Sequence, residues 1–450
     1  MRRTARAIGA LALPAALALA AAAAVAHDLD AGTWYLVRPD AFNFTNADET
    51  GFWTTRGEHI RVDGRRDLAL RLPPELTEGV ALTVRGPGGF VVAARLIDGS
   101  KYGLFLAAYN RQGESTWTRK LGGDDATLGG PDGLFVGADG DIFLAGSLSG
   151  CVRLARGAKR ICSDDKALAK SFDCEGDCEG GQPFVARFDP HGDLTSAFTP
   201  AGYPATVFAG AEGRLAWAGE FKGRLDLDPD PRMTRMAAAP NAKQPGSGPT
   251  QAFWSFFDPR ADMRYLDGRA IVGPANAAIR GATFDADGTL LVLAQVDHRR
   301  RREDAERLTD STTATPLADP GASRILVIAS EPSGAPPTVR PLTEGPKPET
   351  TQLRLLRAPT GGVFIAYGGL TQSNRAGVPD RTIVAVHGPA QGWQIRVPND
   401  VNPEAVLMDQ GRVCVGFSLL GPHQLSVGGR TVRVGEPDKA IPAIGCYKTR

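Results

Sequence analysis

The densest group of chemistry-bearing side chains lies at residues 173–179, where Asp173, Cys174, Glu175, Asp177, Cys178 and Glu179 are interrupted only by Gly176. A bridge between Cys174 and Cys178 would pinch this loop and converge the carboxylates of Asp173, Glu175, Asp177 and Glu179, and calcium takes such hard oxygen ligands. The bidentate glutamate that closes a twelve-residue EF-hand loop is absent, so calcium, the one cofactor the residues raise, stands against a solvated acidic loop. Zinc fits less well, because the cysteine spacings are irregular and no histidine stands nearby. A second candidate is the run Arg299 to Arg302, which would meet an acidic polymer or a lipid headgroup, but Glu303, Asp304 and Glu306 largely cancel it. The six histidines are scattered, and G-x-S-x-G, H-E-x-x-H and phosphate-loop patterns are missing. No catalytic residue is assigned. An enzyme stays open only through carboxylates or histidines that a fold would bring together.

The remaining cysteines point to the compartment. Cys151 and Cys162 flank a stretch nearly symmetric about Arg156-Gly157, which suggests a hairpin turn with the two cysteines facing each other. Cys414 and Cys446 would then pair within the last repeat. An even count of six cysteines agrees with an oxidising environment. The first 26 residues carry three arginines and no acid, then an Ala/Leu-rich apolar run ending in Ala24-Val25-Ala26. That is the form of a secretory leader with a small-residue cleavage site, which predicts a mature chain from His27, periplasmic or secreted. No later segment is long and apolar enough to span a bilayer. With 51 basic and 50 acidic residues, bulk charge gives no reason to expect a nucleic-acid partner.

The elements that must position these groups follow from a repeat. An apolar run, a polar-glycine turn and a second apolar run recur around Gly88, Gly140, Gly213, Gly288, Gly361 and Gly411. A second phrase alternates with it, as in Leu104 to Gly113, Pro183 to Gly192 and Ala252 to Ala261. Together they make four strands per unit, the sequence form of an all-β propeller. Six blades are predicted over 80–450, or seven if residues 50–72 form a degenerate one. The last unit stops before a fourth strand, and Thr33-Trp-Tyr-Leu-Val from the 27–79 region is placed there to close the ring. Trp117, Trp217, Trp254 and Trp393 fall inside strand phrases and read as packing between blades, whereas Trp53 is less constrained.

Gly219-Glu-Phe-Lys-Gly-Arg-Leu-Asp-Leu-Asp-Pro229 resembles the gly-x-phe-x-gly…asp-leu-asp-pro stretch of bacterial β-propeller repeats of the SBBP type. Pro183-Phe-Val-Ala-Arg-Phe-Asp189 is similar to the same family's phe-val-ala-lys-leu-asp strand. Gln182, Gln251 and Ala261 depart from it. The resemblance implies a fold and a secreted or surface setting, and no catalytic residue. The functional expectation is a binding or interaction scaffold whose loops contact a protein or glycan. The alternatives are a propeller hydrolase or lyase acting on polysaccharide or peptide, and a structural surface protein with calcium-stabilised loops.

Overall fold

In the computed structural model, the described residues are 27–28, 33–37 and 43–448, except 75, 77–79, 87, 99–100, 129–132, 155–160, 163–181, 200–204, 212, 229–234, 239–248, 274, 298–306, 310–313, 317–323, 334, 343–350, 360–361, 370–380, 388–392, 398–400, 421–422, 428–429 and 435–439. They form strands and turns with no helix among them. Each of the six predicted units becomes a four-stranded antiparallel blade: blade 2 spans 80–128, blade 3 134–198, blade 4 205–272, blade 5 276–341, blade 6 351–397 and blade 7 401–448. The seventh blade weighed from the sequence is present as well. Phe44–Ala47, Gly51–Thr54, Glu58–Arg61 and Arg66–Ala69 pair in order as the short blade 1.

Period-two alternation explains why the sheets stack into a ring. In Arg214–Lys222 of blade 4, Leu215, Trp217 and Phe221 face the core shared with blade 3, while Ala216 and Ala218 face the core shared with blade 5. Each blade is therefore apolar on both faces, and the buried residues divide into one core for each pair of neighbours. The innermost strands, Phe44–Ala47, Val80–Gly86, Leu134–Val136, Ala205–Ala211, Asn276–Phe284, Thr351–Arg357 and Val401–Asp409, each touch the next and close on the first. Polar staples cross between blades at the turns. Trp117 Nε1 donates to the Pro190 carbonyl at 3.0 Å, and Arg214 Nη1 donates to the Gly288 carbonyl at 2.9 Å.

The ring closes as expected. Thr33–Leu36 is the outermost strand of blade 7, with Thr33 opposite Cys446 and Leu36 opposite Ala443. Ahead of it, His27–Asp28 runs parallel to Trp393–Gln394 on the edge of blade 6. Gly140, Gly213, Gly288 and Gly411 take positive φ at the predicted turns. In blades 2 and 6, Gly89 and Gly362 take positive φ. Trp53 is as constrained as Trp217 and Trp254: it is fully buried between blades 1 and 2, with its ring 4.8 Å from that of Phe90.

Candidate functional site

Both described cysteine pairs are disulfides, Cys151–Cys162 across facing strand ends and Cys414–Cys446 between adjacent strands of blade 7. Cys174 and Cys178, and the candidate calcium ligands Asp173, Glu175, Asp177 and Glu179, lie outside the described residues, as does the arginine run 299–302. Among the described residues no cluster of metal-ligating side chains forms.

The side chains that do converge were not singled out from the sequence. The ring encloses a central channel of about 600 Å³, within the roughly 300–1,000 Å³ usual for small-molecule sites. Five innermost strands carry a register shift where they pair with the second strand. The shifts skip Thr45, Ala81, Thr206, Arg280 and Glu404. A bulge inserts one residue and breaks the in-out alternation, which re-aims a side chain. Thr45, Arg280 and Glu404 accordingly line the channel, beside Arg354 and Arg357 of blade 6.

Arg280, Arg354 and Glu404 are each held from behind. Arg280 Nε donates to Gln295 Oε1 at 2.9 Å, and Arg354 Nη1 donates to the Pro403 carbonyl at 3.2 Å. The Phe44 amide donates to Glu404 Oε2 at 2.7 Å, across the junction of blades 1 and 7. Burial pushes the Glu404 carboxyl up to about 7, against the lowering pull of the Phe44 amide and the Arg354 charge. Glu220 on blade 4 is also raised by burial, with Arg280 and the Ile279 amide opposing. Guanidinium groups fixed in this way present planar forks suited to a carboxylate, sulfate or phosphate. Glu404 is a proton-holding group near neutral pH.

A second polar cluster occupies blade 1. His59 is buried, with Nδ1 at 2.6 Å from Asp67 Oδ1 and Nε2 at 3.2 Å from Asp48 Oδ1. Thr50 Oγ1 lies 3.4 Å from the same Nε2. Thr50, His59 and Asp67 thus have the sequence of contacts of a nucleophile, base and orienter. Asp48 changes the chemistry. Burial favours neutral His59, but the hydrogen bonds and charges of Asp48 and Asp67 override it and raise its pKa, and only a ring protonated on both nitrogens donates to both carboxylates at once. Asp48 is held well below the usual carboxylate range: burial opposes this, but His59 and the Thr50 donors outweigh it. A cationic ring bonded on both nitrogens cannot take a proton from Thr50. Trp53 Nε1 also donates to Asp48 at 3.1 Å, so the cluster fastens the small blade together.

No protein-family model matches the chain, and no curated protein matches it. Among solved structures it is similar to a puromycin hydrolase S511A mutant complexed with PGG, at 13% identity and a TM-score of 0.39, over 89% of this chain and 55% of that one. It is similar to a GH74 xyloglucanase from Xanthomonas campestris at 14% identity and a TM-score of 0.26, covering 91% and 82% of the two chains. A luciferin-regenerating enzyme matches at 10% identity and a TM-score of 0.30, covering 82% and 96%. The chain spans about half the length of the puromycin hydrolase chains. The likeness is of overall architecture, and no channel residue takes a role from it.

Proposed function

We propose that the protein is an extracytoplasmic binding propeller, secreted or periplasmic, that takes a small ligand in its central channel. The observation that carries this reading is the convergence of Thr45, Arg280 and Glu404, each on a bulge of a different innermost strand, around a cavity of ligand size. The leader-like first 26 residues and the two cystines support the compartment. Partner capture by the face loops, with a protein or a glycan, is the wider role for which channel binding would be the signal.

The experiment is a thermal-shift screen of the full chain against a small-molecule library, run in parallel on Leu355→Trp, which narrows the channel. A compound that raises the wild-type midpoint and shifts the narrowed variant less supports the reading. Compounds that shift both equally overturn it. A second reading, a propeller hydrolase or lyase acting on polysaccharide or peptide, is favoured by the Glu404 carboxyl, which holds its proton near neutral pH as a general acid must. Turnover of a polysaccharide or peptide that disappears in Glu404→Gln, with binding retained, would select it.

A further inference from the structure

The channel wall is two-natured. Val84, Val136, Val207 and Leu355, from four different innermost strands, line it only half-buried, while Arg280 and Arg354 are exposed within it. Gly281 sits between these sets, and a Cβ there would come 3.1 Å from Leu355 Cβ, so the wall at this point is already in contact with blade 6. Apolar side chains left partly open around a cavity are what an apolar ligand body covers. Guanidinium forks beside them are what an oxyanion pairs with.

We propose that the channel takes an amphiphilic organic anion, an apolar body with one oxyanion head, gripped by Arg280 and Arg354 and covered by Val84, Val136, Val207 and Leu355. This rests on the channel-binding reading and narrows it to a ligand class. The charged groups that face the head are Arg280 from blade 5, Arg354 and Arg357 from blade 6 and Glu404 from blade 7. Blade 1 contributes the uncharged Thr45 and Asn46, and Glu220 of blade 4 acts on Arg280 electrostatically. Among the described lining residues Glu404 is the single acid, and an incoming anion is repelled when that acid is ionised. Binding therefore takes up a proton at Glu404 and strengthens as pH falls from 8 to 6, by no more than about tenfold per pH unit for one proton.

The test is calorimetric titration of the full chain with decanoate, decanol and acetate. Decanoate is expected to bind, acetate to show no saturable binding, and decanol to bind at least about tenfold more weakly than decanoate. The double variant Arg280→Ala/Arg354→Ala, altered at exposed side chains, should lose about tenfold or more for decanoate and little for decanol. In Glu404→Gln the dependence on pH should flatten. Leu355→Trp should weaken decanoate binding, with Val207→Trp as a second narrowed variant if the first melts early.

Decanol binding as tightly as decanoate, with both weakened in the narrowed variants, would overturn the anion class and leave the channel reading standing. Decanoate affinity unchanged in both narrowed variants would overturn the channel reading itself. A chain that binds neither ligand overturns the proposal, and the library screen then decides the channel reading separately.

Discussion

Blades 1 and 4 solve the same problem in opposite ways. Blade 4 has strands of seven to nine residues and buries Trp217, Phe221, Phe253, Trp254, Phe256 and Phe257. Blade 1 has strands of four residues, with Phe52, Trp53 and Ile60 as its buried apolar side chains on the second and third strands. It compensates with polar satisfaction. Asp48 accepts from the Thr50 and Gly51 amides, the Thr50 hydroxyl, Trp53 Nε1 and His59, and Arg85 of blade 2 stands 3.6 Å from it. The difference teaches that a blade can be held by area or by a saturated ionic knot. The first is indifferent to pH and the second is not.

The largest effect should come from the apolar side. Trp254→Ala removes a fully buried ring and leaves the Ser330 hydroxyl without its donor at 3.1 Å, so a loss of about 3–5 kcal/mol is expected in denaturant titration. A loss under about 1 kcal/mol would break the contrast at its apolar end. Asp48→Ala strands the His59 and Trp53 donors in a buried setting and should cost about 3 kcal/mol, with Asp48→Asn milder. Equal costs for the two would show that charge is not what holds blade 1.

The third prediction turns on pH. His59 has a raised pKa in the fold, so its stabilising contribution is full below its ordinary value of 6.5 and is lost as pH rises through the folded value. Asp48 has a lowered one, so its contribution is present above 3.8 and is lost as pH falls through the folded value. Amide exchange at Phe52 and Trp53, corrected for intrinsic rates, should therefore be slowest between these limits and quicken above them, while Trp217 and Phe253 stay level. In His59→Gln the alkaline dependence should vanish. The smallest effect is Arg66→Ala, which breaks the half-exposed ion pair with Glu58 at 2.5 Å and should cost under about 1 kcal/mol in the same denaturant titration.

The long blades were legible because their strands alternate two apolar faces around glycine turns, as in Gly133 to Gly146. Blade 1 was harder to read because a four-residue strand holds only two positions per face, too few to show a period, and its turn at Asp48 lacks the repeat's glycine spacing. The channel escaped for a related reason. The regular apolar alternation that leads into the turns at Gly213, Gly288 and Gly411 starts only at Val207, Gly281 and Ala405, each one residue after a bulge. Arg280 and Glu404 sat just outside the phrase. A lone charge next to an apolar strand was the available signal.

One contact has a consequence for assembly. Glu404 and the amide that holds it are 360 positions apart, and they meet only where the first blade abuts the last. The Ser418 hydroxyl and Asn43 Oδ1 meet at the same seam, and Thr33–Leu36 is woven into the last blade beside it. Bringing such distant segments together carries the largest loop-closure entropy in the chain, so the seam is expected to knit late. An incompletely wound ring would lack the fixed acid of its own channel. Any molecule recognised by that acid would therefore discriminate finished rings from unfinished ones, and would clamp the junction at which the circle was last open.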